Sequence, residues 1–175
     1  MSRLLAVIDM QRVFAEPDSP WCTPRFGEVV GPLRTLVDAF DERVVRTRFI
    51  APEQPTGAWA DYYRQWPFAL QPPDSVLYQV VPEFASGLTV AATTFGKWPA
   101  LAEHADGELV LAGVSTDCCV LSTALAAADD GVRVRVVADA CAGMTDTTHQ
   151  QALAIMGLYA PHIEVLTVAE LLEST

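Results

Sequence analysis

Positive charge is scarce in this chain: 11 Lys+Arg stand against 22 Asp+Glu, and Lys97 is the single lysine. The net charge of -11 repels phosphate backbones and anionic lipid, so neither nucleic acid nor a membrane surface is expected as a partner. No apolar run approaches the ~20 residues that a bilayer-spanning helix needs. The start reaches an acid, Asp9, after a short apolar run and lacks a signal-peptide cleavage pattern, so a cytoplasmic location is expected. Cys22, Cys118, Cys119 and Cys141 are then read as free thiols; adjacent cysteines rarely pair, and no CxxC spacing suggests zinc. A Gly-rich phosphate loop and an HExxH pair are both missing, and His104, His149 and His162 show no ligand spacing. Nor is Ser115 a nucleophile elbow, because Asp117 stands where GxSxG needs glycine.

What the chain does have is apolar content, 51% hydrophobic against 19% charged, over 175 residues. That excludes a disordered chain and suits one domain. Leu4 to Ile8 is a continuous apolar run, the mark of a strand buried on both faces. Strands are also expected at Val44–Ile50, Leu88–Thr93, Glu108–Ala112, Val132–Ala138 and Ile163–Leu166. Helical spacing marks Val29–Phe40, with Pro32 in its first turn, then Cys119–Asp129, stopped by Gly131, Asp146–Leu158 and Val168–Leu172. Residues 51–73 are Pro-rich and aromatic and read as an excursion or lid. Alternating strands and helices imply right-handed crossovers and a parallel sheet. The expected architecture is a single α/β domain over residues 1–175: a three-layer Rossmann-like fold with a mostly parallel six-stranded sheet flanked by helices.

Ligands of such sheets bind beyond the carboxyl ends of the strands. Asp9, directly after the first run, either caps a nearby turn or serves as a general acid/base. The second place is Gly113-Val114-Ser115-Thr116-Asp117-Cys118-Cys119-Val120, joining a strand to a helix. Thr116 and Asp117 suit a plain N-cap. A thiol at a helix N-terminus, however, meets the dipole and free N–H groups, which favour thiolate and could hold an oxyanion. His149, on a helix, reads as a satisfied structural histidine.

These pieces, with Ile8-Asp9-Met10-Gln11 and Val137-Ala138-Asp139-Ala140, resemble the isochorismatase-like cysteine hydrolases, a family that includes nicotinamidases, carbamoyl-amide hydrolases and isochorismatases. The resemblance implies Cys119 as nucleophile, Asp9 as base, and a cis peptide between Val114 and Ser115 that shapes an oxyanion hole from the backbone N–H groups of Ser115 and Cys119. It also implies a lysine. Laying Phe95-Gly96-Lys97-Trp98 on the family's Y-S-A-F stretch puts Ala92 at that place, whereas a longer strand brings Lys97 itself there; the mechanism's need for a cation favours Lys97. Metal-binding nicotinamidases carry an acid and a histidine after the second strand, where this chain has Thr47-Arg48-Phe49-Ile50-Ala51, so no metal and no cofactor is expected.

An aromatic-lined substrate pocket is expected from Phe14, Trp21, Phe49, Trp59, Tyr62 and Trp98, which could equally be core. The leading expectation is a metal-independent hydrolase of a small-molecule amide, acting through a thioester. The alternatives are an isochorismatase-type vinyl-ether hydrolase, which needs the Asp but no cysteine, and a catalytically silent ligand-binding or interaction member. By resemblance the chain is a homo-oligomer, dimer or tetramer.

Overall fold

The computed structural model describes residues 2–174. Six parallel strands form one sheet: β1 (Arg3–Ile8), β2 (Val44–Phe49), β3 (Thr89–Ala92), β4 (Glu108–Val114), β5 (Val134–Ala142) and β6 (Ile163–Leu166), in the order β3-β2-β1-β4-β5-β6. β1 and β4 lie at its centre and are almost wholly buried, which is why both read as unbroken apolar runs. The chain leaves β1 toward β2 on one side and returns as β4 on the other. The crevice between these two carboxyl ends is the topological switch point, where ligands of such sheets bind.

The helices are α1 (Arg12–Ala15), α2 (Phe26–Phe40), α3 (Ala58–Gln65), α4 (Trp98–Leu101), α5 (Leu121–Asp129), α6 (Asp146–Gly157) and α7 (Val168–Glu173). α2 packs Val29, Leu33 and Leu36 against the sheet, the face its periodicity predicts. It begins three residues earlier than that pattern, at the buried Phe26, so Pro32 lies inside the helix rather than in its first turn. The carbonyl that Pro32 leaves without a donor belongs to Glu28, an exposed residue that water can reach.

β4 runs past Ala112 to Val114, and Gly113 is the reason. Its φ is +125°, and a Cβ there would sit 2.2 Å from the Ile8 carbonyl oxygen, so only glycine lets β4 stay against β1 to its end. β5 starts later than its apolar run and extends four residues further, to Ala142. Asp139, the first residue past the expected end, is an outward residue whose carboxylate accepts the Val168 N–H at the start of α7.

The excursion after β2 is longer than residues 51–73. It carries α3 and three 3₁₀ turns, the last at Pro82–Phe84, before β3 begins. It is folded in by fully buried Ala69 and Tyr78 and by an antiparallel bridge from Val80 to Gln11. The Gln11 side chain fixes this arrangement: it accepts the Phe49 N–H (2.8 Å) and donates to the carbonyls of Phe49 (2.9 Å) and Tyr78 (2.8 Å). No helix among the described residues is long and apolar enough to cross a membrane.

Candidate active site

Asp9 follows β1 directly, with a φ of +48° that Asp tolerates better than most residues. Thr47 on β2 holds it twice: the Asp9 N–H donates to Thr47 Oγ1 (3.1 Å), and that hydroxyl donates to Asp9 Oδ1 (2.6 Å). The other oxygen, Oδ2, lies 3.0 Å from Lys97 Nζ, and neither side chain is exposed to solvent. Apart from this ion pair Oδ2 has no hydrogen-bond partner among the described residues, which leaves it a lone pair for an incoming proton.

Lys97 comes from the turn after β3 and directs its other two protons to the carbonyls of Thr94 and Phe95, each at 2.7 Å. All three donors of the ammonium are thereby used. The Phe49 ring lies 5.4 Å below it, a cation–π contact. Burial alone would lower the Lys97 pKa; the charge of Asp9 and the neighbouring cysteines outweigh it and hold the group above the ordinary lysine value. Lys97 is therefore a fixed cation at neutral pH. The fold thus brings Lys97 itself to the carboxylate.

Cys119 lies in a π-helical turn, Thr116–Val120, rather than in the first turn of the α-helix. Such turns recur at functional sites because they displace a side chain from its helical position. The Val114–Ser115 peptide that precedes it is cis. Thr123 on α5 ties this turn to the lysine loop, since its hydroxyl accepts the Lys97 N–H (2.9 Å) and donates to the Cys119 carbonyl (2.6 Å). The hydrogen bond of Cys119 with Cys118, its burial and the Asp9 carboxylate all push the Cys119 thiol up, and Lys97 only partly opposes them. A base and a cation thus act on this thiol in opposite senses.

Cys119 lines a cavity of about 180 Å³, together with Ser115, Cys118 and Met144. The walls are aromatic: Phe14, Trp21, Phe49, Tyr62, Trp66 and Phe95. Four of the six aromatics expected from the sequence thus line it. Trp59 stands behind the wall, packed on Phe95 with ring centres 4.8 Å apart. Trp98 is not part of it; its indole N–H turns away to the Asp130 carboxylate. Trp66, Phe95 and Met144 were missed because they come from three separate loops with no common spacing. Thr47 and Thr123 were missed because threonine in a strand or helix carries no signal of its own.

Neither Thr116 nor Asp117 caps a helix. Asp117 accepts the Met144 N–H (2.9 Å) and the Thr148 hydroxyl, and Thr116 meets His149 Nδ1 at 2.8 Å. His149 has its partner in Thr116, and burial lowers its pKa. A more open depression of about 480 Å³ at the β3 edge, lined by Arg48, Gln79 and Val80 among others, contains none of the groups above.

A family model described as the Isochorismatase domain matches residues 3–170. Isochorismatase domain-containing protein 2 of Rattus norvegicus is 35% identical over 98 residues, covering 50% of this chain and 47% of that protein. The nicotinamidase of Escherichia coli (strain K12) is 33% identical over 78 residues, 45% of this chain and 36% of its own. The matched stretches thus span about half or less of these curated relatives. Among solved structures, an isochorismatase-like hydrolase from Alkaliphilus metalliredigens aligns with a TM-score of 0.85 at 21% identity, over 99% of both chains. The N-carbamoylsarcosine amidase from Thermoplasma acidophilum aligns with a TM-score of 0.75 at 21% identity, over 96% of this chain and 97% of its own. At such identities the likeness is one of fold, whereas the family match runs nearly from end to end, and by it the chain belongs to the isochorismatase-like hydrolase family.

Proposed function

We propose that the protein hydrolyses the C–N bond of a small amide through a thioester on Cys119. The observation that carries this reading is the convergence of a buried carboxylate–ammonium pair, Asp9 and Lys97, on a thiol that lines a small cavity. Two of the relatives are amidases by name.

The steps follow from what each group can do. Asp9 takes the proton of Cys119 through its free Oδ2 lone pair, and Lys97 stabilises the thiolate that results. The sulfur attacks the amide carbon, a C–S bond forms, and the oxyanion is met by the N–H groups of Ser115 and Cys119. Asp9 returns the proton to nitrogen as the C–N bond breaks and the amine leaves. Water, giving its proton to Asp9, then attacks the thioester carbon; the C–S bond breaks and the sulfur recovers the proton. The sum is amide plus water giving carboxylic acid plus amine.

The residues do not fit a metal. By the resemblance drawn above, Phe49 and Ala51 stand where metal-binding nicotinamidases carry an acid and a histidine, and the Phe49 ring lies against Lys97 instead. Among the described residues, no three His, Cys, Asp or Glu side chains cluster as ligands.

Release of ammonia from a primary amide, lost in Cys119→Ala and in Asp9→Asn, is the expected result. Ammonia release that survives Cys119→Ala would reject Cys119 as nucleophile. Isochorismate turnover that is independent of Cys119 would favour the vinyl-ether reaction instead.

A further inference from the structure

We infer that the amide this site takes carries no charge and has a hydrocarbon body about the size of one benzene ring. The inference rests on the amidase reading above and concerns what surrounds the reacting carbonyl.

Size comes first. A dry apolar cavity of about 150 Å³ takes up one benzene molecule. The cavity over Cys119, at about 180 Å³, has room for that and little more than a carboxamide group. Its walls are the faces and edges of Phe14, Trp21, Phe49, Tyr62, Trp66 and Phe95, with Trp21 and Tyr62 5.7 Å apart and Trp21 and Phe49 5.8 Å apart. Flat, apolar surface is what such walls complement.

Charge comes next. No charged side chain lines the cavity. A carboxylate on the substrate needs a cation, and Lys97 has none of its three donors to spare. Arginine is no substitute: Arg48 lines the depression at the β3 edge, and Arg25 is held by Asp146 and Glu28 beside a different one. A cationic substrate would find aromatic faces, but Lys97 already occupies the Phe49 face, and its charge opposes a second cation. Tyr62 cannot supply a counter-charge, because burial pushes its hydroxyl up and keeps it neutral. An unpaired charge entering such a pocket loses its hydration without replacement. The polar lining, Ser115, Cys118 and Cys119, is the proposed nucleophile and residues close to it in the chain.

The test uses four primary amides: benzamide, nicotinamide, succinamate (anionic) and trimethylammonioacetamide (cationic). Ammonia release is measured on the wild-type chain, and equilibrium binding on Cys119→Ala. Benzamide is expected to exceed both charged amides by at least ~100-fold in kcat/KM, and nicotinamide is expected not to exceed benzamide. Met144→Arg, which places a cation on a partly exposed lining residue, is expected to raise succinamate turnover relative to benzamide. Preference for succinamate, for the ammonium amide or for nicotinamide by tenfold overturns the inference and leaves the amidase standing. Benzamide that binds Cys119→Ala more tightly than the charged amides, with no ammonia from any of the four, supports the inference and rejects the amidase. No ammonia from any of the four amides, with no binding of benzamide to Cys119→Ala, overturns both.

Discussion

Lys97 Nζ and Asp9 Oδ2 meet at 3.0 Å with both side chains fully shielded from solvent, although 88 positions separate them. A buried pair of this kind contributes little net stability when intact, yet removing one partner strands the other charge. Lys97→Met is therefore expected to destabilise the fold by ~3–5 kcal/mol. Asp9→Asn/Lys97→Met, which leaves no lone charge, should regain much of that loss while releasing no ammonia. Urea unfolding of the two single variants and the double variant checks it; a double variant as unstable as the sum of the singles would contradict the coupling.

The same pair sets the ionisation of Cys119, in opposite senses. The Asp9 carboxylate pushes the thiol up and Lys97 pulls it down. Asp9→Asn is thus expected to speed iodoacetamide alkylation of Cys119 near pH 7.5, by ~10-fold for each pKa unit gained. Ammonia release falls in the same variant, because the proton acceptor has gone. Lys97→Met should slow alkylation. Peptide mapping of the alkylated cysteine reads both directions, and an Asp9→Asn variant that loses reactivity would remove Asp9 as one of the groups that raise the thiol.

Cys141 gives the fold a pH dependence of its own. Burial pushes its thiol up to about 12, against a partial pull from the Gly113 backbone. In the unfolded chain the same thiol ionises near ~8.5. The native state therefore holds a proton that the unfolded state has released, and stability falls wherever that is so. The contribution is complete below pH ~8.5 and is lost as the pH rises toward about 12. Cys141→Ala is expected to flatten this alkaline loss in thermal unfolding measured across that range; an unchanged slope would assign it elsewhere.

Two tryptophans separate the cavity wall from the framework. Trp98 spends its indole N–H on Asp130 outside the cavity, and Trp98→Phe is expected to cost ~1 kcal/mol with KM and kcat unchanged. Trp66 lines the cavity and is only partly buried, so Trp66→Ala should raise the KM for a bound aromatic amide by ~10-fold. Steady-state kinetics with thermal unfolding distinguishes them, and a KM change in Trp98→Phe would return that residue to the site.

The sequence by itself determined the parallel sheet and the positions of Asp9 and Cys119. Strands buried on both faces must be continuously apolar, so the first polar residue after Ile8 marks a strand's carboxyl end, and the Gly113–Val120 block marks another. These signals are local, carried by neighbouring residues. Tertiary structure alone decided that Lys97 reaches Asp9, that Thr47 and Thr123 brace the two, and that Trp98 leaves the cavity while Phe95 and Trp66 enter it. It also supplied what raises the Cys119 thiol, since a helix terminus acts through one turn of backbone whereas the Cys118 contact, burial and the Asp9 charge come from the fold around it. Ionisation depends on every charge and every water molecule within several ångströms, and that neighbourhood exists only once the strands carrying it have been brought side by side.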